Sequence, residues 1–341
     1  MPYNAIDLFC GCGGVTQGLK DAGFNVRVGI EICGAPANAY RANHPDSYLF
    51  ECDIRDLEPQ EIREACENEQ IHLLAGCPPC QGFSSIRSRN KPQAVEDERN
   101  TLIMEYFRLV KELLPLTFIF ENVPGIAKYS LFHEVCDKLK SLGYELSHRV
   151  VDVARYGVPQ RRKRLVMIGS RVGFIDIPQG VDGVTTVRDT IAGLESPTES
   201  EDPPHKIVAT HIPRIIDMIR KIPADGGSRK DLPARYTLAC HRKEGVGFHD
   251  VYGRLRWDAV SSTITGGCLN PSKGRFLHPE EHRTISAREA AMLQTFPRNY
   301  SFPEEISKTE LALMIGNALP PRFAQIQAEH IAAFFKECGI A

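Results

Sequence analysis

The first 170 residues alternate short apolar runs with amphipathic helical stretches, and no other feature constrains the fold as strongly. NAIDLF reads as a strand, followed by the glycine-rich turn CGCGG and a helix, VTQGLKDAG, closed by Gly23. VRVGIEI is a second strand, ANAYRANHP a helix stopped by Pro45, and LLAG a further strand. RNTLIMEYFRLVKELLP places Leu102, Ile103, Tyr106, Phe107, Val110, Leu113 and Leu114 on one helical face before Pro115 ends it. TFIFENV is an apolar strand ending in an acid, and HRVVDV and RLVMIGS are two more strands joined by a basic turn. Strands alternating with helices predict an α/β fold with a mostly parallel sheet.

After residue 170 the texture changes. Pro, Gly and polar residues dominate from about 171 to 283, and the only tryptophan, Trp257, falls there. Helical periodicity resumes with SAREAAMLQTF and LALMIGNALPPRFAQIQAEHIAAFF. The expected organisation is therefore one domain built from 1–170 and 284–341, carrying 171–283 as a second, irregular domain.

No apolar run reaches the roughly 18 residues of a membrane span, and the N-terminus lacks a basic flank before an apolar core, so a soluble, intracellular protein is expected. The eleven cysteines are odd in number and scattered, which argues for reduced thiols rather than a disulfide framework. A net charge of −2 gives no global sign of a nucleic-acid partner. The distribution is less neutral: RYGVPQRRKR, at 155 to 164, carries five basic residues and no acid, and 204 to 256 carries eleven Lys/Arg against five Asp/Glu. Such a surplus is either a solvated face or the lining of an anion-binding cleft.

The turn after the first strand offers Gly11, Gly13 and Gly14, with Glu31 twenty positions beyond Gly11 at the tip of the second strand. Glycines let a ligand approach the backbone, and a carboxylate at that tip can grip ribose hydroxyls. The spacing is not G-x-G-x-x-G, so a nucleoside without pyrophosphate fits at least as well as a dinucleotide. Asp53, after the next apolar segment, could reach an adenine amino group.

GCPPCQGFS, at 76 to 84, holds a C-x-x-C. A zinc site needs two more ligands, and no second C-x-x-C or H-x₃₋₅-H appears, although Cys10 and Cys12 at a similar strand end keep a four-thiol site open. A redox pair needs a helix N-terminus, whereas Pro78 and Pro79 favour an extended loop. Cys77 also reads as a small packing residue. The remaining reading makes Cys80 a nucleophile at the carboxyl end of a strand, and it requires an acid and cations nearby. Glu121 ends another strand, and Arg162 and Arg164 share one face of an extended stretch.

In that order the blocks DLFCGCGG (7–14), Glu31, Asp53, GCPPCQGFS (76–84), ENV (121–123), QRRKR (160–164), REAAMLQTFP (288–297) and GNALPP (316–321) closely resemble the DNA (cytosine-5)-methyltransferases over nearly the whole chain. The resemblance implies a Rossmann-like S-adenosylmethionine-dependent domain plus a smaller target-recognition domain at 171–283. Phe9 would stack on adenine, Glu31 would bind the ribose, with Ile32 beside it, and Asp53 with Ile54 would contact adenine. Pro79, Leu102, Asn317 and Ala318 would line the same pocket, while Asp7 and the glycine turn would shape its methionine end. Cys80 would add to C6 of a flipped-out cytosine, Glu121 would hydrogen-bond N3 and the exocyclic amine, Arg164 would contact O2, and Arg162 would hold the catalytic loop. Gln81, Ser84, Ser85, Arg87, Arg89 and Thr263 would face DNA.

The partners so implied are double-stranded DNA and a functionally paired restriction endonuclease. The protein is expected to be a cytoplasmic, nucleoid-associated monomer without a metal. Three rivals remain: a nicotinamide or flavin oxidoreductase using the C-x-x-C, a non-enzymatic DNA-binding protein on the same fold, and the transfer-RNA-methylating branch that shares these motifs.

Overall fold

The computed structural model describes residues 3–79, 101–237 and 250–340, and these divide into two compact units. The first comprises 1–156, 163–181 and 319–341; the second comprises 157–162 and 182–318. None of the described helices is long and apolar enough to cross a membrane.

The first unit is built on a seven-stranded sheet: β1 (Asn4–Leu8), β2 (Asn25–Glu31), β3 (Tyr48–Glu51), β4 (Leu73–Gly76), β5 (Thr117–Asn122), β6 (Glu145–Asp152) and β7 (Lys163–Ser170). Their order is β3-β2-β1-β4-β5-β7-β6, with β7 antiparallel to both β5 and β6 and every other pair parallel. This is the α/β architecture expected. The central strands β1, β4 and β5 are buried along their whole length, as strands covered on both faces must be. β3, YLFE, has no buried residue, so it carries little of the apolar signal that betrays a strand.

Among the described residues five helices lie between the strands: α1 (Gly14–Asp21), α2 (Gly34–Asn43), α3 (Pro59–Ala65), α4 (Thr101–Leu113) and α5 (Ser130–Ser141). Ile103, Tyr106, Leu109, Val110 and Leu113 of α4 enter a continuous core with Ile6, Leu8, Val28, Leu74, Phe118 and Phe120 of the strands. Leu109, absent from the expected face, lies one turn beyond Tyr106 and completes it. Leu114 is instead a partly exposed residue with a φ of 48° after the helix end.

α11 (Pro321–Glu337) returns to this unit and packs on α1, as expected of LALMIGNALPPRFAQIQAEHIAAFF in its second half. Their close approach depends on Gly18, where a Cβ would stand 2.3 Å from Pro321 O and 2.8 Å from Ala324 Cβ.

The second unit has no named strand among its described residues. Its helices are α6 (Val187–Ile191), α7 (Pro203–Lys206), α8 (Pro213–Lys221), α9 (Ala287–Leu293) and α10 (Lys308–Asn317). The boundary expected at 284 differs from this division, because α9 packs against α6, α7 and α10. Of the chain after residue 284, only the part from Leu319 onward belongs to the sheet unit.

With little regular structure, the second unit satisfies its backbone through buried side chains. Arg254 is fully buried and donates to the carbonyls of Ile219, Ile222 and His278 at 2.9 to 3.1 Å. It therefore leaves the basic surplus counted from 204 to 256, since a cation spent on internal carbonyls cannot meet a ligand.

Candidate active site

The parallel register brings the carboxyl ends of β1, β2, β4 and β5 to one level, with Leu8 opposite both Ile30 and Gly76, and Gly76 opposite Phe120. The turn leaving β1 is strained in the manner of functional sites: Phe9, Gly11 and Gly13 have φ of 61°, 56° and 93°. Nothing lies within 4 Å of where a Cβ on Gly11 would stand, so this backbone is open to a ligand. Gly14 is buried and begins α1.

Glu31 is fixed by this turn. Its carboxylate accepts from Gly11 N at 3.0 Å and from Cys33 N at 2.8 Å. Each oxygen keeps a further lone pair for a hydroxyl. Ile32, next in sequence, is 59% exposed, an apolar surface set beside a charged one.

Asp53 holds Arg55 in a two-pronged contact, and this hydrogen bonding keeps its carboxyl below the usual range. The Ile54 side chain is buried in the core, and its carbonyl accepts from Arg108, so it presents no side-chain surface to a ligand. Leu102 and Pro79 are partly buried.

Behind the glycine turn Asp7 belongs to a polar layer with Thr16, Tyr40 and His44, three residues that sequence motifs did not single out. Asp7, 1% exposed, accepts from Thr16 N at 3.0 Å and Thr16 Oγ1 at 2.7 Å, while its Oδ1 has no partner. Burial pushes the Asp7 carboxyl up to about 7 against the pull of the Thr16 bonds. Tyr40 Oη stands 3.1 Å from Thr16 Oγ1. Burial holds His44 down to about 4, so it is neutral, and its Nε2 lies 3.3 Å from Gly13 O.

Cys10 and Cys12 are buried, and burial raises both thiols, Cys12 to about 12. Among the described residues no three His, Cys, Asp or Glu side chains are grouped to hold a metal ion.

The remaining candidate residues lie on or beside β5 and β7. Glu121, 6% exposed, lies opposite Val166 of the antiparallel β7, and Arg164, two residues earlier in that strand, sets its Nε 2.6 Å from Glu121 Oε1. Arg164 NH1 donates to Lys163 O, which leaves further guanidinium hydrogens for a substrate oxygen. Asn122 Nδ2 donates to Pro78 O at 3.2 Å and so ties the end of β5 to the loop that leads to Cys80. Cys80, Gln81, Ser84, Ser85, Arg87 and Arg89 lie outside the described residues.

Arg162 does not join Arg164. It belongs to the second unit, where it is 5% exposed and its NH1 donates to the carbonyls of Ile264 and Gly316 at 2.8 and 3.0 Å. Gln160, fully buried, holds the same region through Leu293 O, Gln294 Oε1 and Ile264 N. Thr263 commits its hydroxyl to Arg161 O at 2.6 Å. Asn317 is exposed at the end of α10, and Ala318, at its C-cap, carries no polar side chain.

The family model of C-5 cytosine-specific DNA methylases matches residues 3–333. The chain belongs to this family. It is accordingly a DNA cytosine-5-methyltransferase, an enzyme that requires a methyl donor and a DNA substrate. Among similar proteins, the Type II methylase M.HgiDII of Herpetosiphon aurantiacus is 35% identical over 97% of this chain and 95% of its own length. The Type II methyltransferase M1.HphI of Haemophilus parahaemolyticus is 30% identical over 97% of this chain and 87% of its own. A solved candidate DNA modification methyltransferase encoded within an E. coli prophage is similar with a TM-score of 0.71 and 26% identity, covering 98% of this chain and 99% of its own.

For a DNA methylase the carboxylates of Glu31 and Asp53, the exposed Ile32 and the open backbone at Gly11 make a donor set that fits a nucleoside-bearing methyl donor.

Proposed function

We propose that this methylase takes its methyl group from S-adenosylmethionine and places it on C5 of a cytosine extruded from a specific double-stranded DNA sequence, through a covalent bond between Cys80 and C6. The observation that carries this reading is the Glu121–Arg164 pair, held at 2.6 Å beside the strand end that leads to Cys80. A buried acid and a guanidinium side by side suit the N3, amine and O2 edge of one pyrimidine.

Bound S-adenosylmethionine supplies an electrophilic methyl on a sulfonium. Glu31 grips the ribose hydroxyls with its remaining lone pairs, Phe9 and Ile32 provide apolar surface for the adenine, Asp53 meets its amino group, and Pro79 and Leu102 line the pocket. Asp7 acts through Thr16 to hold the first turn of α1. The Cys80 thiolate adds to C6 while Glu121 hydrogen-bonds N3 and the exocyclic amine and Arg164 holds O2. The electron pair thus placed at C5 takes the methyl; loss of the C5 proton to a base then restores the double bond and expels the thiolate. Arg162, bonded to Ile264 and Gly316, positions the stretch that begins β7.

Base extrusion costs a few kcal/mol, which backbone and groove contacts must offset. Residues 171–283 are the target-recognition segment in this reading, with Lys230 and Arg235 as exposed cations. Thr263 contacts a phosphate only after releasing Arg161 O, and Gln81, Ser84, Ser85, Arg87 and Arg89 close on the duplex. The enzyme acts as a cytoplasmic, nucleoid-associated monomer, the modification partner of a restriction endonuclease.

The test is incubation with labelled S-adenosylmethionine and either mixed duplex DNA or tRNA, followed by sequencing of the methylated product. Label on duplex DNA that disappears with Cys80→Ala is expected. Label on tRNA alone would overturn the substrate, and transfer retained by Cys80→Ala would overturn the covalent step.

A further inference from the structure

No motif singles out Arg108 of α4, yet it holds the chain that carries Asp53. The stretch from Asp53 to Leu57 follows β3 and belongs to no strand or helix. Local bonds shape it into a turn: Asp56 N donates to Asp53 O at 3.0 Å, and Arg55 N to Asp53 Oδ1 at 2.9 Å. Bonds within a turn do not set where it stands against the sheet. That is left to the buried side chains of Ile54 and Leu57 and to Arg108, which lies 54 and 51 positions away from them in sequence.

One nitrogen of Arg108, NH2, donates to Ile54 O at 2.9 Å and to Leu57 O at 3.2 Å. Its Nε donates at 2.6 Å to the carboxylate of Glu105, three residues earlier on the helix, so the guanidinium plane is itself held. Apolar burial is non-directional and tolerates a sliding turn, whereas two carbonyl bonds to one fixed fork do not.

We propose that Arg108 is a positioning residue of the methyl-donor site: through the carbonyls of Ile54 and Leu57 it holds the turn where the Asp53 carboxylate meets the adenine amino group. This rests on the functional reading given above. A hydrogen bond weakens steeply as its geometry departs from the optimum, so a turn displaced by about 1 Å loses that contact while the sheet stays folded.

An arginine that only braces the fold predicts something else, and the same two helices supply the control. Arg63, in the last turn of α3, donates to Glu112 O, in the last turn of α4, at 2.6 Å. Arg63→Met therefore removes a carbonyl bond of the same kind without touching the turn of Asp53. Calorimetric titration with S-adenosylmethionine, steady-state methylation of duplex DNA and thermal unfolding, recorded for each variant of the full chain, separate the two roles.

Arg108→Met should raise Kd and KM for S-adenosylmethionine about five- to tenfold, the size of one lost hydrogen bond, with kcat at saturation within about twofold. Arg108→Lys keeps the charge without the fork; it should bind between the two, and it carries the test where the Met variant does not fold. In an Asp53→Ala background Arg108→Met should cost no further affinity, because the carboxylate it positions is gone. Arg63→Met should melt earlier with Kd unchanged.

A folded Arg108 variant that binds S-adenosylmethionine as tightly as the unchanged protein, an undiminished loss in the Asp53→Ala background, or an equal loss in Arg63→Met would overturn the proposal and return Arg108 to scaffolding. An unchanged protein that binds no S-adenosylmethionine would instead sink the functional reading, so the two failures are distinguishable.

Discussion

Asp7 makes the stability of the sheet unit depend on pH in a direction opposite to that of most carboxylates. It is 1% exposed, and burial carries its carboxyl from the ordinary 3.8 to about 7. A carboxyl raised in the folded state gives its full stability below the unfolded value and loses it as pH rises through the folded value. Between pH 4 and 7 the unfolded chain has released this proton while the folded chain retains it, so stability falls by up to about 1.4 kcal/mol per pH unit, or about 4 kcal/mol in all.

His44 works against this in the unchanged protein. Burial lowers it from 6.5 to about 4, so its contribution is present above 6.5 and is lost as pH falls toward 4. Comparison with Asp7→Asn removes the overlap, because the amide keeps a carbonyl acceptor for Thr16 and cannot titrate. Urea unfolding followed by circular dichroism at pH 5, 6, 7 and 8 should show the unchanged protein losing ground to Asp7→Asn from pH 5 to 7 and holding level beyond. Parallel curves over that range would refute the assignment of a buried, neutral Asp7.

Three further outcomes follow from the same geometry. Arg164→Met leaves the nearly buried Glu121 without its cation; unfolding free energy should fall by about 2 to 3 kcal/mol and methyl transfer by at least about a hundredfold, and adding Glu121→Gln should restore stability without activity. Gly18→Ala forces a Cβ against Pro321 O and Ala324, so a melt should show a loss of about 1 to 3 kcal/mol. Ile32→Ala removes an exposed apolar surface, so calorimetry should find S-adenosylmethionine bound several-fold more weakly while the melting temperature stays within about a degree.

How much the sequence revealed depended on whether a residue's partner was local. The strands β1, β2, β4 and β5 announce themselves because strands buried on both faces are nearly continuous apolar runs, and the turn residues between them are Gly and Pro. Glu31 could be placed because its distance along one βα unit sets its position at the strand tip. The second unit had no such periodicity to follow. Its order comes from Arg254 on carbonyls up to 35 residues away and from Gln160 on Leu293 and Gln294, 133 and 134 positions distant. Long-range side-chain-to-backbone bonds of this kind leave no local pattern. The same reason explains why α9 was expected with the sheet: its apolar face is legible, but the surface that covers it is not.

The reversed strand is what makes the reacting end work. A parallel β7 would begin at the amino edge of the sheet, and the basic turn before it would lie a strand's length from Glu121. Because β7 runs antiparallel, Leu165 faces Asn122 and Val166 faces Glu121, so Arg164, the residue just before that pairing, falls at the carboxyl edge where β5 ends. The i, i+2 spacing that suggested two arginines on one face delivers only one of them, since β7 begins to pair with β6 at Lys163 and Arg164 while Arg162 turns to the carbonyls of the second unit. One arginine then meets the acid and the other anchors the chain that carries it. Exchanging Arg162 for Lys should therefore lower stability, by loss of one of two carbonyl bonds, before it touches methyl transfer, whereas Arg164→Lys should do the reverse, because a lysine cannot meet Glu121 and a base carbonyl with the fixed fork that an arginine provides.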